Sequence, residues 1–127
     1  MTKQMAKKVL IIEDELALQK TLSEVLAQEG YLIVTASDGE EGLKSAQSEN
    51  PDLILLDLVL PKIHGFDVLK KLKENSVTES IPVIILTNLE STEDVEKAVE
   101  LGATTYLVKA DYNLEDVLGK VKGIIGN

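Results

Sequence analysis

The sequence predicts an α/β domain in which five strand–helix units, (βα)5, build a doubly wound parallel sheet. Three observations lead there. Short apolar runs without polar alternation recur along the chain, stretches of helical period separate them, and turn or cap residues sit at the joins. Such alternation implies a parallel sheet covered on both faces and joined by right-handed crossovers.

Val9 to Ile12 is the first run, rich in β-branched residues and suited to a strand buried on both sides. Leu18, Leu22, Val25 and Leu26 then recur at helical spacing, and Gly30 stops that helix. Leu32 to Ala36 forms the second strand. Asp38 caps a helix that runs towards Glu49 and ends before Pro51. Leu53 to Leu56 is the third strand, with Asp57 at its end. Leu58 to Gly65, which contains Pro61, reads as a loop, and Phe66, Leu69 and Leu72 mark one face of the third helix. Pro82 to Leu86 is the fourth strand, with proline at the start, where a ladder donor is least needed. Ser91 and Asp94 resemble a cap for the helix carrying Val95, Ala98 and Val99, and Gly102 ends it. Thr104 to Val108 is the fifth strand. Leu114, Val117, Leu118, Val121, Ile124 and Ile125 give the clearest amphipathic pattern in the chain.

A length of 127 residues suits one domain, taken here as residues 1–127, with a core large enough to need no disulfide or structural metal. The chain has no cysteine, which removes thiolate nucleophiles and cysteine-held clusters and suits a reducing, cytoplasmic setting. Its formal net charge of −9 would repel phosphate backbones, so direct nucleic-acid binding by this domain is not expected. No membrane span is expected either. The most apolar stretch, Leu53 to Leu60, is short and carries Asp57 in its middle. Met1 to Lys8 is basic but lacks the apolar core of a signal peptide.

In an open parallel sheet, ligands bind at the carboxyl ends of the strands, so the residues that follow each strand are the place to look for function. Glu13, Asp14 and Glu15 follow the first strand, Asp57 the third, Thr87 and Asn88 the fourth, and Lys109 the fifth. Crowded carboxylates favour a hard divalent cation, and Mg²⁺ is commonly held by one or two carboxylates with phosphate oxygens. A carboxylate is also a nucleophile towards phosphorus, and phosphoryl transfer needs mainly positioning and charge neutralisation, which Mg²⁺ and a lysine supply. Singly, each residue has a bland explanation: a helix-dipole partner, a surface ion pair, a turn cap. Asp57 is harder to dismiss, because a charge among apolar neighbours is costly without a partner. The joint placement of all of them favours the functional reading.

With these residues in place, the chain resembles the receiver domains of two-component response regulators from Val9 to Ile125. The motifs that carry the likeness are Glu13–Asp14, Asp57-Leu58-Val59-Leu60-Pro61 followed by Gly65, Thr87 and Lys109. The resemblance implies a flavodoxin-like strand order of 2-1-3-4-5. It also implies a stand-alone, phosphorylation-activated switch rather than an enzyme acting on other substrates. Asp57 would be the phosphoacceptor. Glu13, Asp14, Asp57 and the Val59 backbone carbonyl would hold Mg²⁺. Lys109 would contact the phosphoryl group, and Thr87 and Tyr106 would form the switch pair. The implied donor is the phosphohistidine of a sensor histidine kinase or histidine phosphotransfer protein. The implied output face is helix 4–strand 5–helix 5, which could also support a homodimer. Tyr106 has a plainer reading as strand packing.

Some positions depart from the family pattern. Many receivers place proline after the lysine through a cis peptide, whereas Ala110 follows Lys109 here. A cis bond before a non-proline residue costs about 2.5–4 kcal/mol, so the aim of Lys109 depends on which isomer the loop adopts. Asp111 could compete for the ammonium. His64, the only histidine, reads as an incidental surface residue. Val59 and Leu89 occupy positions that line the route of hydrolytic water in the family. Being apolar, they cannot orient water, and a long-lived phosphorylated state is expected. The alternative function is a receiver-like binding module that works without phosphorylation. An aspartate-nucleophile phosphatase would want a second acid at Val59, and a flavin or nucleotide carrier would want a Gly- or hydroxyl-rich loop in place of Glu13 to Glu15.

Overall fold

The computed structural model describes residues 6–87, 92–108 and 113–126. Its elements are β1 (Lys8–Ile12), α1 (Leu16–Gln28), β2 (Leu32–Ala36), α2 (Gly39–Glu49), β3 (Leu53–Asp57), α3 (Gly65–Glu74), β4 (Val83–Thr87), α4 (Thr92–Glu100), β5 (Thr105–Val108) and α5 (Leu114–Ile125). All strand pairs are parallel and the sheet order is β2-β1-β3-β4-β5, the topology that the resemblance implied.

The apolar runs lack alternation because the central strands are buried on both faces. Leu10, Ile12, Ile54, Leu56, Val83 and Ile85 join Ala46 of α2, Val68, Leu69 and Leu72 of α3, and Ala98 of α4 in one core layer. Their neighbours Val9, Ile11, Leu53, Leu55, Ile84 and Leu86 pack with Leu22 and Leu26 of α1 and with Val117 and Val121 of α5. One residue of each strand thus serves one layer and the next serves the other, as pleating requires. Burying a Leu, Ile or Val side chain stabilises the fold by about 1.5–3 kcal/mol, so β1, β3 and β4 carry much of it. β2 lies at the sheet edge and keeps Leu32 half exposed.

Strand limits differ from expectation by single residues, for reasons visible in the ladder. Pro82 lies just before β4 and offers only an acceptor, its carbonyl receiving the Ile54 N–H at 3.0 Å. Thr104 likewise precedes β5 and donates its N–H to the Val83 carbonyl at 2.8 Å. Asp38 caps α2 as expected, accepting from the Glu41 N–H at 2.8 Å. That bond chiefly, with help from Lys62, holds its carboxyl below the usual carboxylate range against a smaller desolvation effect. Asn113 and Asp116 form a reciprocal capping box at the start of α5. Ser91, the expected cap of α4, lies outside the described residues.

The loop between β3 and α3 is drawn tight. The Gly65 N–H donates to the Leu58 carbonyl at 2.8 Å. A Cβ at Gly65 would stand 2.3 Å from Leu58 Cα and 2.7 Å from the Asp57 carbonyl oxygen, both backbone atoms that cannot swing aside. Gly119, inside α5, has nothing within 4 Å of where its Cβ would be. The two glycines therefore predict opposite outcomes in urea unfolding. Gly65→Ala should destabilise the protein by about 2 kcal/mol or more through forced backbone movement. Gly119→Ala should stabilise it by about 0.5–1 kcal/mol through helix propensity. Equal midpoints for the two variants would contradict this packing.

Candidate functional site

The β1–α1 turn and the end of β3 meet because β1 and β3 are neighbours in the sheet, with Ile12 in register with Leu56. One residue further along each strand stand Glu13 and Asp57, both buried, and Asp14 follows in the open. Carboxylate oxygens of Glu13, Asp14 and Asp57 lie within 4.8 Å of one another. The structure thus brings together the three side chains expected to hold a cation.

Backbone groups fix two of these carboxylates. Glu13 Oε2 accepts the Glu15 N–H at 3.1 Å, and Asp57 Oδ1 accepts the Val59 N–H at 3.1 Å. Burial makes a carboxylate charge expensive, and each such bond offsets part of that cost. The donor set is three hard oxygen groups on a rigid edge, with one of them solvent-facing, which fits Mg²⁺ or Mn²⁺ better than a soft metal. The Val59 side chain is 55% exposed at the rim of this cluster.

The chain matches the response regulator receiver domain family over residues 9–122. It belongs to that family.

Among similar proteins, the alkaline phosphatase synthesis transcriptional regulatory protein PhoP of Bacillus subtilis (strain 168) is 40% identical over 121 residues, covering 95% of this chain and 49% of the relative. The chain spans about half the length of the curated relatives it matches. Among solved structures, the chemotaxis response regulator CheY4 of Vibrio cholerae superposes with a TM-score of 0.88 at 32% identity, over 94% of this chain and 99% of that one. The response regulator Rcp1, solved in its Mn²⁺-bound form, gives a TM-score of 0.78 at 36% identity, over 93% of this chain and 91% of that one. Receiver domains are signalling switches of two-component systems rather than classical enzymes.

The remaining expected residues of this receiver are distributed as follows. Thr87 is the last residue of β4, in register with Val108, and so ends at the same sheet edge as Asp57. Tyr106 lies in β5, opposite Ile85, and is 40% exposed. The Thr87 side chain, Asn88, Leu89, Lys109, Ala110 and Asp111 lie outside the described residues.

Other residues contribute in ways that linear reading did not show. His64, expected to be incidental, is the N-cap of α3: its Nδ1 accepts the Phe66 N–H at 3.1 Å. Its ring stacks on that of Phe66 at 5.2 Å between centroids, and Lys97 Nζ of α4 sits 4.7 Å from the Phe66 ring centroid. Lys62, which takes a left-handed φ of 67°, reaches Asp38 at 3.5 Å and ties the β3–α3 loop to the start of α2. Gln19 of α1 donates from Nε2 to the Glu13 carbonyl at 2.9 Å.

Three like charges so close must repel when no cation is present. Asp14→Asn removes the exposed one without opening a cavity. In EDTA the variant should be more stable than wild type by about 1 kcal/mol, the scale of one unit-charge repulsion at this separation. Excess Mg²⁺ should then stabilise wild type more than the variant. Urea melts in both buffers test this, and a variant less stable than wild type in EDTA would be the wrong sign.

Proposed function

We propose that this chain is a phosphorylation-activated switch in which Asp57 accepts a phosphoryl group from the phosphohistidine of a sensor histidine kinase or histidine phosphotransfer protein. The observation that carries the reading is the convergence of Glu13, Asp14 and Asp57 at the carboxyl edge of a receiver sheet. In this reading Glu13, Asp14 and Asp57, with the Val59 backbone carbonyl, hold Mg²⁺. When bound, Mg²⁺ neutralises the carboxylates and draws charge from the phosphoryl oxygens. The Mn²⁺-bound form of the similar Rcp1 supports a divalent cation.

A carboxylate oxygen of Asp57 forms the bond to phosphorus while the phosphorus–nitrogen bond of the donor breaks. The imidazole leaves with its electron pair and takes up a proton. The Val59 N–H on Asp57 Oδ1 limits rotation of the nucleophile, so little ordering remains for the transition state. Lys109 offsets the charge of the phosphoryl group, and the Thr87 hydroxyl donates to one of its oxygens. Tyr106, exposed on β5, has room to change rotamer as Thr87 moves. The face of α4, β5 and α5 then alters for a protein partner or a second copy of this chain. The apolar Val59 and Leu89 cannot orient hydrolytic water, which favours a persistent phosphorylated state. The location is cytoplasmic, in keeping with the kinase partner. Among the described residues, no helix is long and apolar enough to cross a membrane.

Intact mass after incubation with acetyl phosphate and Mg²⁺ tests the reading. Wild type should gain one phosphoryl group, and Asp57→Asn or added EDTA should prevent the gain. No gain by wild type that nevertheless binds Mg²⁺ would favour a binding module that works without phosphorylation.

A further inference from the structure

Gln19 stands on the first turns of α1, away from the carboxylates, yet its side chain reaches back to the turn that carries them. Its Nε2 donates to the Glu13 carbonyl at 2.9 Å and to the Ala36 carbonyl at 3.2 Å, with the Ser37 hydroxyl oxygen further out at 3.4 Å. The Ala36 carbonyl also accepts the Glu13 N–H at 3.0 Å. One carbonyl at the end of β2 thus gathers both the backbone of Glu13 and the amide that holds Glu13 from its other side. Glu13 is buried and its carboxylate oxygen lies within 4.8 Å of those of Asp14 and Asp57, so the backbone that Gln19 holds sets where that oxygen stands. The half-buried side chain of Gln19 belongs to no other hydrogen-bonded group among the described residues.

We propose that Gln19 is a positioning residue for the cation site, clamping the β1–α1 turn to the end of β2 so that Glu13 and Asp14 meet Asp57 in a fixed geometry. This rests on the reading of that cluster as a Mg²⁺ site. Residues that orient metal ligands without touching the metal commonly change its affinity by about 10–100-fold when lost. Gln19 needs both of its N–H donors for the role, since two carbonyls lie within reach. The acceptors are backbone carbonyls and a hydroxyl rather than carboxylates, so the effect on the cation is geometric rather than coulombic.

Two isosteric variants separate these effects in calorimetric titrations with Mg²⁺. Gln19→Met keeps length and apolar packing but has no donor, and should weaken Mg²⁺ binding by about tenfold. Gln19→Glu adds a negative charge, which by attraction alone would tighten binding, yet it should weaken binding too. A purely structural role would lower the urea midpoint in EDTA and leave the Mg²⁺ affinity of the folded fraction unchanged, and that result would overturn the proposal. In wild type, the side-chain amide signals of Gln19 should shift on Mg²⁺ addition with the same midpoint as the Glu13 and Asp14 backbone amides. Signals that stay still would also overturn it, even if neither variant folds. Loss of all Mg²⁺ binding by wild type would sink the cation site and this proposal together. Wild-type binding with unchanged Gln19→Met affinity would sink this proposal alone.

Discussion

Three carboxylates cannot be crowded at the edge of a dry sheet without something to relieve them, and most of the architecture around the site bears on that constraint. β1 and β3 are apolar on both faces, so their charged residues can stand only where the strands end. Adjacent parallel strands end side by side, which brings Glu13 to Asp57. The same neighbours that exclude water make each unit of repulsion larger, and they make a bound cation correspondingly more stabilising. An acidic cluster in such a place is sensitive to anything that adds or removes charge, as a phosphoryl switch must be.

Close backbone contacts and side-chain hydrogen bonds hold that edge. Gly65 lets α3 begin against the backbone of Asp57 and Leu58, and the imidazole of His64 closes the first turn of the helix. Lys62 and Asp38 join the same loop to α2, while the Val59 N–H holds the Asp57 carboxylate. On the other side of the cluster, Gln19 and the Ala36 carbonyl hold the β1–α1 turn. Asp57 therefore sits between two turns that are each held by hydrogen bonds. β5, with Tyr106 40% exposed, is the edge strand beyond β4.

Much of this was legible in the linear sequence. The central strands declared themselves because burial on both faces removes alternation, and Asp57 was conspicuous because it closes an apolar run. Glu13 and Asp14 were legible as candidates once β1 was placed, since function lies beyond strand ends. What escaped were the contacts that need the fold first. Gln19 meets a carbonyl seventeen positions away in the chain, at the end of β2, and no periodicity marks it. His64 reads as incidental in the sequence because it is the only histidine and falls in a predicted loop, whereas in the fold its Nδ1 caps α3 by accepting the Phe66 N–H. The Asn113–Asp116 box, by contrast, carries a local signature three residues apart and could have been read. Lys109 and the Thr87 hydroxyl fall outside the described residues, so their roles rest on the family likeness and on where β4 and β5 end.

The central claim is that charge at Asp57 is transmitted to the face of α4, β5 and α5. Backbone amide spectra of the Mg²⁺-loaded protein, recorded with and without beryllofluoride as a phosphoryl mimic, test it most directly. The account predicts shifts that begin at Asp57 and Val59 and extend through Thr87 and Tyr106 into α5. Shifts confined to the residues around Asp57, with Tyr106 and α5 unmoved under saturating mimic, would contradict it.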